Sequence, residues 1–242
     1  MNLAITSRSR IPAIVRAATD QRAPGHNDIV KRGMDIALAG AGLVILSPLL
    51  LIIAILIKLD SPGPVIFAQE RMGARPRGRG PARVWEIRPF HMYKFRSMVH
   101  NADQTLHQAH IAAFASGQLA PDRRAGFKLN GDPRITRVGR ILRSTSLDEL
   151  PQLVNVLKGD MSLVGPRPVP RYEVELYQPW QFERLAALPG ITGLWQVTGR
   201  AALPFDEMIQ LDLEYVRSAS AWLDVKILVR TIPAVLRGTG AG

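Results

Sequence analysis

From Gly33 to Ile57 almost every position is apolar: "GMDIALAGAGLVILSPLLLIIAILI" carries Asp35 as its only charge. Roughly 20 apolar residues suffice to cross the hydrocarbon core of a bilayer, so the run predicts a membrane-inserted helix. Ser47–Pro48 interrupts it, because proline removes an intrahelical hydrogen bond and clashes with the preceding turn. The Ser47 hydroxyl can help satisfy the carbonyl that is freed. The two halves, about 14 and about 10 residues, are about 21 and about 15 Å long at ~1.5 Å per residue, each short of the ~30 Å core. Lys31 and Arg32 precede the run, and Lys58, Arg71, Arg75, Arg77 and Arg79 follow it. Positive charge favours the cytoplasmic side at both ends. The pattern predicts a re-entrant hairpin broken at Ser47 and Pro48, with a kinked single span as the alternative.

Beyond the run the pattern changes to short segments. "DSPGPVIFAQERMG" reads as a turn followed by a short strand centred on residues 65–67. "RMGARPRGRGPAR" at 71–83 reads as a solvated basic loop against lipid headgroups, with an RGG-like tract as the alternative. Residues 84–98, "VWEIRPFHMYKFRSM", alternate as paired strands do and place Lys94 and Arg96 on one face. Residues 99–118 predict a polar helix whose His100, His107 and His110 are surface residues, since no carboxylate is spaced to complete a metal site with them. Residues 119–131 read as a loop. At 133–144, Arg134, Arg137, Arg140 and Arg143 recur at helical spacing beside Ile135, Val138, Ile141 and Leu142. That stripe suits an amphipathic helix or a phosphate-facing row. The segment "MIQLDLEYVRSASAWLDVKILVRTIPAVL" predicts two helices, one or both amphipathic at a membrane. The expected organisation is a basic arm at 1–28, a membrane helix at 29–59 and a catalytic domain at 60–242.

Composition narrows the chemistry. The 242 residues are 47% hydrophobic, ample for a packed core. A net charge of +11 implies a polyanionic partner: nucleic acid, an anionic membrane surface or a phosphorylated substrate. Zero cysteines exclude disulfides, thiolate metal sites and cysteine nucleophiles. The first 28 residues lack the uninterrupted apolar stretch of a secretory signal and read as a weakly structured basic arm, with a membrane-surface helix near 11–18 as the alternative.

Against that positive background stands "SLDELPQL", residues 146–153. Ser146 and Glu149 match a capping box, which would make the acidic pair a helix start. Pro151 would then fall inside the helix, whereas a helix beginning at Pro151 ends naturally on Gly159. In this preferred frame Asp148 and Glu149 stand just before a helix N-terminus, ionised and on a backbone that lets their side chains diverge. One can face a cation and the other a substrate. "GDMSLVGPRPVPRYE" at 159–173 then presents Arg167, whose guanidinium can grip a phosphate in a bidentate fork; a rigid turn is the blander reading. "LPGITGLWQVTGR" at 188–200 offers Trp195 as a wall for a base or lipid chain, or as a packing element.

In order, "KRGMDIALAGAGLVILSPLLL", "YKFRSM", "DPRITRVGRILRSTSLDELPQLVNVLKGDMSLVGPRP", "PGITGLWQVTGR" and "LDLEYV…WLDVKILVRT" closely resemble the bacterial sugar transferases of the monotopic phosphoglycosyl transferase family, from about Lys31 to about Leu236. The resemblance implies a mixed α/β, helix-rich fold. A re-entrant membrane helix, amphipathic interfacial helices and a small catalytic domain would sit at the cytoplasmic face of the inner membrane. It also implies Mg²⁺-dependent transfer of a sugar 1-phosphate from a UDP-sugar to undecaprenyl phosphate, releasing UMP and starting exopolysaccharide, O-antigen or glycoconjugate assembly. The family's nucleophilic aspartate falls on Asp148 and its Mg²⁺-binding glutamate on Glu149. Arg143 and Arg167 match arginines expected on phosphates, and Lys94 and Arg96 match a segment near the site. The implied partners are the UDP-sugar, the polyprenyl phosphate and anionic lipid headgroups. No nucleic-acid partner is expected, and a homo-oligomer is left open. Two departures stand out: larger relatives carry several transmembrane helices before this unit, so the chain resembles a minimal catalytic form, and the 71–83 loop is longer and richer in arginine than the usual pattern. A lipid-diphosphate hydrolase and a membrane-anchored basic scaffold are the competing classes, and product analysis and UMP release separate them.

Overall fold

The computed structural model describes residues 27–77, 84–103, 105–118, 132–199 and 203–236. Most of the basic arm, the segment near 11–18, residues 78–83 and the loop at 119–131 lie outside them. Helix α1 (Asn27–Asp60) carries the whole apolar run in one 34-residue element. It stays helical through Ser47–Pro48, where two separated half-helices are predicted. The reason is local. Pro48 cannot donate to the Val44 carbonyl four residues back, and Ser47 Oγ donates to that oxygen instead at 2.8 Å. Large apolar side chains cover much of the outer surface of α1, with Val44 and Ile45 each 75% exposed.

The ends of α1 are fixed to the rest of the chain by polar contacts. Lys31 Nζ reaches Asp224 Oδ2 at 2.6 Å and the Val164 carbonyl at 2.9 Å. Arg32 donates to the Val156 and Leu157 carbonyls. Asp35, the lone charge in the apolar run, is buried and accepts from the Leu163 N–H at 2.9 Å and Ser162 Oγ at 3.1 Å. At the far end Asp60 Oδ2 accepts from the Val138 N–H at 3.1 Å. Between these pins, Ala39 joins one hydrophobic cluster with Phe90, Met92, Val156 and Tyr215, while Ile53 and Ile57 join another with Phe95 and Leu142.

Strands β1 (Ile66–Arg77) and β2 (Val84–Phe95) pair antiparallel from Ile66↔Phe95 to Arg77↔Val84. The loop predicted at 71–83 is therefore strand through Arg77. Pro76 is tolerated because a two-stranded ribbon leaves each strand one unpaired edge where a missing N–H is harmless. Helix α2 (Thr105–Ala115) starts later than the predicted 99, since Asn101 adopts φ 59° in a preceding turn. Helix α3 (Arg137–Ser144) is capped by Thr136, whose Oγ1 accepts from the Gly139 N–H at 3.0 Å. Arg134 is left outside the predicted stripe, bound to Asp132 at 2.5 Å.

A 3₁₀ turn (Leu147–Glu149) leads into α4 (Gln152–Lys158), which follows Pro151 and ends on Gly159 at φ 75°. The frame beginning at Pro151 is thus the one adopted, and the Ser146 side chain makes no capping bond. Strand β3 (Ser162–Val164), short helix α5 (Arg171–Val174), a 3₁₀ segment (Pro179–Leu185) and β4 (Gly190–Thr192) follow, and β3 pairs with β4 in parallel. Helices α6 (Leu194–Thr198), α7 (Phe205–Ser218) and α8 (Ala221–Leu236) complete a helix-rich mixed α/β fold, the last two as predicted. The largest core cluster joins Ile111 and Phe114 of α2 to Val174, Phe182, Trp195 and the inner face of α7. Trp195 is 1% exposed; it packs in this cluster and also borders the chamber described below.

Candidate active site

The acidic pair sits in the link between α3 and α4. Ser146 takes φ 58°, a left-handed conformation uncommon for a non-glycine residue, and the chain then tightens into the 3₁₀ turn that holds Asp148 and Glu149. Asp148 is 8% exposed. Glu149 Oε1 accepts from Lys94 Nζ of β2 at 2.8 Å. Asn155 of α4 fixes the spacing between these elements: its Oδ1 accepts from the Tyr93 N–H at 2.9 Å and its Nδ2 donates to the His91 carbonyl at 2.7 Å, two backbone groups of β2.

The two glycine- and proline-rich segments form one back-to-back structure. Gly190 N–H donates to the Pro166 carbonyl at 2.9 Å and Gly165 N–H to the Thr192 carbonyl at 3.0 Å. A Cβ at Gly165 would lie 2.2 Å from the Leu188 carbonyl oxygen, so only glycine allows this approach. The pairing braces the turn that carries Arg167. Burial draws the Arg167 guanidinium below its ordinary range, while Glu173 and Glu149 act in the opposite sense.

These groups converge on a chamber of about 780 Å³, whose walls include Asp148, Glu149, Lys94, Arg143, Arg167 and Arg71. Ile66, Phe67 and Val235 contribute an apolar rim to the same chamber. The structure thus brings together Asp148, Glu149, Lys94, Arg143 and Arg167 of the predicted set. Arg96 also borders the chamber, but its guanidinium donates to the Ile57, Ser61 and Pro62 carbonyls, at 2.6 Å for Ser61. It caps the C-terminal end of α1, where the last carbonyls lack helical partners. Ser47 and Pro48 lie in α1 and do not line the chamber.

Sequence reasoning passed over three chamber residues. His107, predicted to be an exposed surface histidine, is half-buried with Nδ1 2.7 Å from the Tyr172 hydroxyl. Burial, with Arg167 and Arg71 adding to it, lowers the His107 imidazole to about 4. The third is Arg71, 5% exposed. It opens the arginine-rich stretch that reads as a solvated basic loop, so nothing local set it apart from Arg75 and Arg77.

Among the described residues no three histidine, cysteine or carboxylate side chains cluster as a metal cage. The chamber offers instead the adjacent oxygen donors of Asp148 and Glu149. That sparse set fits Mg²⁺, which keeps several waters and completes its shell with substrate phosphate oxygens.

The sequence is 44% identical over 214 residues to the galactosyl transferase CpsE of Streptococcus agalactiae, covering 88% of this chain and 43% of that protein. It is 44% identical over 218 residues to the UDP-N-acetylgalactosamine-undecaprenyl-phosphate N-acetylgalactosaminephosphotransferase of Aeromonas hydrophila, covering 88% and 45%. The chain therefore spans less than half the length of these two relatives. Against the exopolysaccharide production protein ExoY of Rhizobium meliloti the identity is 37%, with 88% of both chains covered. Residues 26–238 match the family of bacterial sugar transferases, and the chain belongs to it.

Proposed function

We propose that this protein transfers a sugar 1-phosphate from a UDP-sugar to a polyprenyl phosphate, undecaprenyl phosphate in bacteria, through a covalent intermediate on Asp148. The observation that carries the reading is the placement of a buried carboxylate, in a turn opened by a left-handed serine, in one chamber with six cationic side chains, Arg71, Lys94, Arg96, Arg134, Arg143 and Arg167. In this reading the carboxylate supplies the nucleophile and the cations supply phosphate binding.

In the first step an Asp148 carboxylate oxygen attacks the β-phosphorus of the donor. The bond from that phosphorus to the bridging oxygen breaks, and UMP leaves with the electron pair. In the second step a phosphate oxygen of the lipid attacks the same phosphorus and displaces Asp148, giving a polyprenyl diphosphate sugar. Arg143 and Arg167 hold donor phosphates, and Lys94 orients Glu149. Glu149, next to Asp148, would hold Mg²⁺, which when bound neutralises diphosphate charge and assists the leaving group.

The contacts of α1 support a re-entrant seat in the inner membrane. Lys31 and Asp35 at one end and Ile57 and Asp60 at the other bind the same catalytic body, so both ends lie on one side, while the exposed apolar face between them seeks lipid. Helix α8 exposes Trp222, Val229 and Ile232, an apolar set suited to the interface. The chamber then meets soluble donor and membrane-bound acceptor from the cytoplasmic face.

Asp148→Asn tests the chemistry. With a UDP-sugar panel, the wild type is expected to release UMP and to carry a labelled phosphosugar, and the variant to do neither. A labelled adduct on the variant would sink the assignment. Product that appears without polyprenyl phosphate and is free sugar phosphate would instead mark a hydrolase.

A further inference from the structure

Arg71 has a place in this chamber that its residue type alone does not explain. The Met72 N–H of β1 donates to the Val169 carbonyl at 2.8 Å, which stitches the strand to the turn carrying Arg167. From there the Arg71 guanidinium donates to Gln69 Oε1 at 2.6 Å and to the Pro168 carbonyl at 3.4 Å, both neutral acceptors. Its Nε is buried with no hydrogen-bond partner. Arg71 also lines, with Lys94, Glu149 and Arg167, a side hollow of about 20 Å³ that adjoins the main chamber.

Burial and then repulsion from Arg167 pull the Arg71 guanidinium down to about 10, against the opposing pull of Tyr172, Glu173 and Glu149. It remains a cation at neutral pH. Two guanidinium groups lining one hollow, that of Arg71 buried, repel each other, and the carboxylates that offset them, Glu173 and Glu149, serve both. An anion that spreads its charge over several oxygens relieves that repulsion and matches the planar N–H fork of arginine.

We propose that Arg71 is a second phosphate-binding guanidinium for the nucleotide donor, acting with Arg167 on its diphosphate. The proposal rests on reading the chamber as a nucleoside-diphosphate-sugar site. The rival is a structural role, in which Arg71 only ties β1 to Pro168.

The test is equilibrium binding of UDP with Mg²⁺, and of uridine by competition, to the full chain in lipid nanodiscs. Arg71→Ala is expected to weaken UDP binding at least tenfold and to change uridine binding less than twofold. Arg71→Lys, which keeps the charge without the fork, should recover part of the loss and guards against a folding defect in the alanine variant. Unchanged UDP binding in Arg71→Ala overturns the proposal, as does equal weakening of UDP and uridine. A wild type that binds no UDP removes the donor reading itself and this proposal with it, whereas normal wild-type binding with an indifferent Arg71→Ala removes this proposal alone.

Discussion

Lys94 on β2 and Glu149 in the 3₁₀ turn are joined by an ion pair of 2.8 Å, a direct side-chain link between the hairpin and the acidic pair. Both side chains are partly exposed, 20% and 32%, so the pair is worth no more than about 1 kcal/mol to stability. Lys94→Ala should therefore leave the urea midpoint nearly unchanged while lowering kcat/KM for UMP release about 10- to 100-fold, a loss of about 1.4 to 2.7 kcal/mol in the transition state. Equal activity in the variant would reduce the pair to a tie between elements.

Glu149→Gln removes the charge but keeps the shape. We expect a large fall in rate and a rightward shift of the Mg²⁺ titration, because the amide is a poor ligand for a hard cation. An unchanged titration would place the metal ligand elsewhere.

Asn155 is fully buried and satisfies two backbone groups of β2 at once. Asn155→Ala removes the side-chain partner of the part-buried Tyr93 N–H and of the His91 carbonyl, at about 1 kcal/mol for each lost hydrogen bond. The unfolding midpoint should drop accordingly, and activity should fall with it because α4 no longer holds its distance from Lys94. A midpoint within about 0.5 kcal/mol of wild type would contradict this.

The pH response of His107 follows from its depressed position. Folded, it titrates near 4; in the unfolded chain it titrates near its ordinary 6.5. Between those values the unfolded chain binds a proton that the folded chain does not, so this residue makes stability fall as pH drops from about 6.5 to about 4. His107→Gln should show a shallower decline of thermal midpoint across that window. Parallel curves for the two proteins would show that the ring is not held neutral.

Single cysteines test how α1 sits. Asn27→Cys and Ser61→Cys, introduced separately into a chain without native cysteines, should both resist a membrane-impermeant thiol reagent in intact cells and react after lysis. Labelling at position 27 from outside would make α1 a true span.

Short-range signals carried much of this into the sequence. Pro151 and Gly159 bound α4 because a proline start and a left-handed glycine end are local properties, and alternation marked β2 for the same reason. Other assignments depended on partners far along the chain. Nothing near Asp35 announces that the Leu163 N–H, 128 residues away, will receive it. Arg71 and Arg96 look alike in sequence and both border the chamber, yet one ties β1 to Pro168 and the other caps α1, because only the fold decides which carbonyls each meets. The arginine- and glycine-rich stretch after Met72 resembled a loop until its pairing with β2 made it strand. His107 read as surface because Tyr172, 65 residues on, supplies the cover.

A tether can be cut and its cargo set free. α1 is mounted differently, since Arg32 grips the carbonyls at the end of α4, Asp60 caps the start of α3, and Asp148 lies in the link between those two helices. Asp148 is thus carried on a bench whose outer side is apolar and exposed. Trimming α1 would strip one contact from an end of each helix and open two hydrophobic clusters, leaving a different molecule rather than a smaller one. Conditions that disturb lipid around α1, a harsh detergent among them, act on the alignment of Asp148 without touching the chamber.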